Sequence, residues 1–227
     1  MNTVFFIVEL IGIMSFAIAG AIEAINKETD LFGVIFLALT TSFGGGMIRD
    51  IILGRVPVFF TSYILVSVCV LTAILVFIIA AKLKNKFLEN EAGIERINNV
   101  FDALGLGSFA VSGTKIAITL GFDAPFIAIF MGMITCVGGS MIRDFCLREI
   151  PLILTKRIYA IAALLGGACY WSMTYFKVND IASMIISATL VFVVRMLATY
   201  YKWNVPKAID FSKLKKSENT TEGNLNE

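Results

Sequence analysis

Seven apolar stretches, about 4–25, 32–53, 62–81, 100–120, 125–147, 157–176 and 181–200, are separated by short polar or turn-forming segments. A helix rising 1.5 Å per residue crosses a hydrocarbon core of about 30 Å in about 20 residues. No water is available there to pair backbone amides, so each stretch is predicted to be a helix. Hydrophobic residues make up 58% of the 227 positions and charged ones 16%, against about 25% charged in soluble domains. The expected fold class is an all-α integral membrane protein with seven transmembrane helices. The first apolar run contains Glu9 and has no basic leader, so it reads as a span rather than a cleaved signal.

Lysine and arginine in the connections set orientation. With the motif arginines Arg49 and Arg143 set aside, thirteen basic residues follow spans 1, 3, 5 and 7, and two lie on the opposite side. The N-terminus is expected outside and the C-terminus in the cytoplasm. Residues 201–227 form a polar, basic cytoplasmic tail, and 207–227, with too few large apolar residues to pack, are expected to be disordered.

The chain has no His, which removes the commonest general base and metal ligand. Cys69, Cys136, Cys146 and Cys169 lie singly in apolar runs and read as small packing residues. No nucleophile–base or metal-ligand constellation stands out. No enzyme, metal site, cofactor or nucleic-acid partner is expected.

The chain repeats itself. "GGGMIRD" (44–50) returns as "GGSMIRD" (138–144), "ELIGIMSFAIAG" (9–20) pairs with "DALGLGSFAVSG" (102–113), and Pro57 meets Pro151. Residues 1–81 and 100–176 thus form two units of three spans, and 181–200 is an extra seventh. Three is odd, so the second unit enters the membrane from the other side. Such inverted repeats occur in transport proteins, with sites near the midplane at the repeat interface.

Gly44, Gly45 and Gly46, and Gly138, Gly139 and Ser140, lie inside spans 2 and 5. Each Gly costs a helix about 1 kcal/mol relative to Ala, so both helices are expected to break there. Thr41, Ser42 and Thr135 would satisfy the freed backbone or line a wet path. The competing expectation is a close helix crossing without opening. Arg49, Asp50, Arg143 and Asp144 sit in apolar flanks. Helix neighbours do not face each other, so Arg49 is expected to meet Asp144, and Arg143 to meet Asp50. The alternative is a solvated pair at the membrane edge. Lys115 reads as a gate or lipid anchor, or as a side chain snorkelling to the interface. Glu9 and Asp102 are vestibule carboxylates concentrating cations, or solvated span ends.

The seven spans, the 3+3+1 inverted repeat and the paired glycine–Arg-Asp motifs resemble the trimeric intracellular cation (TRIC) channel family, in particular its prokaryotic members. The resemblance covers residues 4–200. It implies a homotrimer in the lipid of a prokaryotic inner (plasma) membrane, with a pore in each protomer lined by bent helices 2 and 5. It also implies passage of monovalent cations, K+ foremost and Na+ second. The bend falls on Gly44, Gly45, Gly46, Gly138 and Gly139, and the family's basic gating or lipid position falls near Lys115. Ser140 departs from the third glycine. The alternative function is a secondary transporter for a small solute such as glycine.

Overall fold

The computed structural model describes residues 3–84, 90–155 and 158–203; the disordered tail expected over 207–227 lies outside them. Among the described residues, seven long helices follow one another: α1 Thr3–Asn26, α2 Leu31–Ile52, α3 Tyr63–Lys82, α4 Glu91–Thr119, α5 Pro125–Cys146, α6 Ile158–Tyr175 and α7 Asp180–Tyr200. One-turn helices, Val58–Thr61 and Leu152–Thr155, follow α2 and α5. The protein is all-α and carries the large apolar surface of a membrane protein. Five helices, α1, α2, α3, α5 and α7, are long and apolar enough to cross a membrane on composition alone. In α4, Asp102, Lys115 and four glycines dilute the apolar content.

The α4 helix packs on α1, α5, α6 and α7, so its polar positions lie among protein rather than lipid. It starts nine residues before the expected boundary, at Glu91, where the Asn90 side chain accepts the Gly93 N–H at 3.1 Å. Hydrophobicity marks where a helix enters lipid, and the cap marks where it begins.

Helices α2 and α5 are not broken at their glycines; each runs uninterrupted through them. The glycines instead let two backbones touch. A Cβ on Gly45 would stand 2.1 Å from the Thr135 carbonyl oxygen, and one on Gly139 would stand 2.1 Å from that of Thr41. One on Gly138 would lie 2.9 Å from the Gly45 Cα. Close packing of small residues offsets the lost helix propensity. The Thr41 and Thr135 hydroxyls donate to Leu37 and Met131 carbonyls in their own helices, both at 2.6 Å. They satisfy no freed amide, because none is freed.

The α1–α4 crossing is reciprocal in the same way. Gly105 receives the Phe16 ring and Gly12 receives the Phe109 ring, with the two rings 5.2 Å apart. The outer faces are apolar: Phe32, Tyr63, Ile64, Leu71 and Phe126 are exposed, as lipid contact requires.

Candidate permeation site

Two cavities enter from opposite ends of the antiparallel α1–α4 pair. The first, about 740 Å³, lies at the α1 C-terminal end and reaches inward to Asp102. The second, about 530 Å³, lies at the α1 N-terminal end and reaches Glu9. Beyond Glu9 is a chamber of about 20 Å³ walled by Ser42, Gly46, Arg49, Phe109 and Thr135. A water molecule needs roughly 10–15 Å³ of such space, so the chamber holds about one. This chamber borders the α2–α5 crossing at Ser42, Gly46 and Thr135.

Glu9 and Asp102 are both buried, so neither is a solvated helix end. Each forms the floor of its cavity, but they are held differently. Glu9 accepts from the Ser112 hydroxyl at 3.3 Å, and Arg49 is the charge acting on it most strongly. Asp102 accepts from the Tyr159 hydroxyl at 3.2 Å and pairs with Arg195 at 3.4 Å. Tyr159 also meets the Ser140 hydroxyl at 3.3 Å, and the Arg195 guanidinium stacks 4.7 Å over its ring. In the repeat register Leu65 stands where Tyr159 does, and the extra helix α7 has no mate. The second carboxylate is therefore locked from two elements and the first from one.

The expected cross-pairing of the Arg-Asp motifs does not occur. Arg49 bonds to Asp50, with Nε at 2.8 Å and Nη2 at 2.7 Å from Oδ1. Arg143 bonds to Asp144 at 2.9 and 2.7 Å. All four residues are buried. Helices α2 and α5 pass antiparallel, with Gly45 opposite Thr135 and Gly139 opposite Thr41. Each arginine lies four residues past the crossing, in opposite directions, which separates the motifs by about 12 Å along the axes. A flexible arginine can instead fold back on its neighbour, although the two Cβ vectors diverge. Asp50 also accepts the Val58 N–H at 3.1 Å and has Arg55 at 3.5 Å. Its carboxylate thus ties the α2 terminus to the returning chain, and the pair is not a solvated membrane edge.

Lys115 is tied to the start of α7. It forms an ion pair with Asp180 in the first turn of α7, lies 3.7 Å from the Met184 sulfur and stands over the Phe5 ring. Tyr170 donates to the other Asp180 oxygen at 2.7 Å. On the opposite face Glu149 pairs with Lys27 at 2.5 Å and holds that ammonium above the usual lysine range. Among the described residues no cluster of three His, Cys, Asp or Glu could hold a metal.

Sequence reasoning missed Arg195, Tyr159, Asp180 and the Glu23–Asn98 pair. Arg195 carried a signal, because it is the only charge inside 181–200 and a charge in an apolar span implies a partner. The others carried none, since their significance arises from packing between helices.

Known proteins fit this arrangement. A family described as glycine transporter matches the chain in two stretches, 6–81 and 99–175, close to the two sequence repeats. A UPF0126 membrane protein of Deinococcus radiodurans is 38% identical over 166 residues, covering 72% of this chain and 73% of its own. The UPF0126 inner membrane protein YadS of Escherichia coli K12 is 33% identical over 206 residues, 87% of this chain and 93% of its own. A TRIC cation channel structure that addresses conductance superposes with a TM-score of 0.79 and 33% identity, covering 91% of this chain and 98% of that one. The Rhodobacter sphaeroides TRIC orthologue superposes with a TM-score of 0.80 and 31% identity, covering 89% and 100%. Sequence and fold agree across nearly the whole chain, which belongs to the TRIC family as a prokaryotic member built of glycine-transporter repeats.

Proposed function

We propose that the protein is a homotrimeric channel for monovalent cations, K+ first and Na+ second, with one path through each protomer between α2 and α5. The observation that carries this reading is the pair of opposed cavities, each reaching a buried carboxylate, with a small chamber beyond Glu9 that borders the α2–α5 crossing. Arg49 and Arg143 are compensated by their own aspartates, so they do not impose an anionic preference. The remaining carboxylates, Glu9 on one side and the acidic wall of the larger cavity on the other, favour cations. The crossing at Gly45 and Gly139 is the closed gate, and opening requires α2 and α5 to part there. The protein sits in the inner membrane, as YadS does, with its N-terminus outside and the larger cavity facing the cytoplasm.

Purified protein in planar bilayers under asymmetric KCl tests this. Unitary current steps reversing near the K+ equilibrium potential are expected. Reversal at the chloride potential would refute the cation reading. Saturable glycine uptake without unitary steps would replace the channel with a transporter. Light scattering in mild detergent with native lipid checks the trimer, and a monodisperse monomer would exclude it.

A further inference from the structure

The two cavities are not equivalent. In the register that pairs Gly12 with Gly105, Glu23 and Asn98 of the larger cavity correspond to Ile116 and Phe5 of the smaller one. Two apolar side chains at one end of the α1–α4 pair are thus replaced, at the other, by a carboxyl and an amide in contact. Asn98 Nδ2 donates to Glu23 Oε1 at 2.5 Å. Asn98 is only 9% exposed, and its Oδ1 is sealed from solvent and has no hydrogen-bond partner. Water in the cavity does not reach that oxygen, and a buried acceptor left unsatisfied is unfavourable. Turning the amide over does not remedy this. Oδ1 would then face Glu23 Oε1, and two acceptor oxygens bond only through a proton between them. Glu23 itself is half-buried and lines the cavity, so a proton reaches it from water.

We propose that Glu23 is a proton-binding site whose proton is shared with Asn98, and that this proton regulates entry to the larger cavity. A protonated carboxyl has one O–H donor and one accepting oxygen, and a primary amide presents the complementary pair. The two planar groups then join by two parallel hydrogen bonds, Glu23 O–H to Asn98 Oδ1 and Asn98 Nδ2–H to Glu23 Oε1. With Glu23 ionised only the second remains. Protonation therefore tightens the α1–α4 contact and takes one negative charge from the cavity. Other charges face Glu23 from several elements. Lys27 follows one turn later on α1 and Glu28 lies just beyond, α4 supplies Glu91, Glu95 and Asp102, and Lys84 stands just past α3. Arg143 and Asp144 act on it from α5, and Glu149 from the connection that follows. Among the described residues α2 adds no titratable group to the cavity wall. Arg143 is paired with Asp144 and Lys27 with Glu149, and none of these groups donates to Asn98 Oδ1. The effect on entry rests on the channel reading; the proton site does not.

The test compares the full chain with Glu23→Gln, whose amide carries permanently the donor that the proton supplies. In detergent at neutral pH this variant should melt about 2–4 °C above wild type, the worth of one added hydrogen bond in a chain of this size. The gap should close as pH falls, because wild type then acquires the same bond. In an Asn98→Leu background Glu23→Gln should bring no gain. Asn98→Leu alone removes the acceptor, so it should fall further below wild type as pH falls; this keeps the proposal testable if Glu23→Gln fails to fold. In bilayers, acidifying the larger-cavity side should lower K+ current more in wild type than in Glu23→Gln. Melting at or below wild type in Glu23→Gln at neutral pH, or a gain that survives Asn98→Leu, overturns the shared proton. So does an Asn98→Leu deficit that stays constant with pH. The expected melting behaviour with equal acid sensitivity of the two currents overturns the effect on entry. The same melting behaviour with no current at any pH upholds the site while ending the channel reading.

Discussion

Single glycines in this protein differ by what a methyl group would meet. At Gly45 it would collide with the Thr135 carbonyl, whereas at Gly46 the nearest atom is an Arg49 nitrogen at 3.6 Å. Gly45→Ala is therefore expected to lower stability by about 1–3 kcal/mol through overpacking. Gly46→Ala should raise it by up to about 1 kcal/mol through helix propensity. Thermal melting in detergent compares the two, and equal effects would show that the crossing is slack. The buried Arg-Asp pairs give a second comparison. Asp50→Ala leaves Arg49 buried and unpaired, a loss of about 3–5 kcal/mol. A double-mutant cycle should find strong coupling between Arg49 and Asp50 and none between Arg49 and Asp144, since distant sites add. Coupling in the second pair would restore cross-axis pairing. The sequence identified all four charges and the glycines, but not their partners. Which carboxylate a flexible guanidinium takes depends on the direction in which α2 and α5 pass, and no letter in either motif encodes that.

The extra helix α7 serves as a clamp on α4 at both ends. Asp180, in its first turn, holds Lys115, and Arg195, near its end, holds Asp102. Arg195→Met should cost about 3 kcal/mol, at the lower end for a broken buried pair, because Arg143 remains within electrostatic reach of Asp102. Adding Asp102→Asn should recover part of that loss. A double variant no better than the sum would remove the pair from the account of α7 docking; melting curves again provide the measurement. Existence and order of the helices were legible from apolar length, because lipid thickness sets it. The start of α4 was not, because its first two turns are polar. The unbroken course of α2 and α5 was not legible either. Three glycines weaken a helix in isolation, and only the opposing backbone reveals what the missing side chains provide.

At the scale of the whole molecule, the repeat, the membrane class and the family were all readable from the sequence, since they rest on patterns many residues long. The inequality of the two cavities was not, because it depends on which residues of α1, α3 and α4 converge at each end. In the channel proposed above, that inequality predicts electrical rectification. With identical KCl on both sides, the larger mouth, lined by Glu23, Glu28, Glu91, Glu95 and Asp102, holds K+ further above its bulk concentration than the smaller mouth, where Glu9 is set among Arg55 and Lys115. K+ current entering the protein through the larger, acidic mouth should therefore exceed current of the opposite sign at equal voltage. The difference is greatest in dilute salt and fades toward 1 M, where the Debye length shrinks to about 3 Å. Current–voltage curves over a series of KCl concentrations trace this directly, and curves that stay symmetric in dilute salt would mean that the mouths do not limit entry.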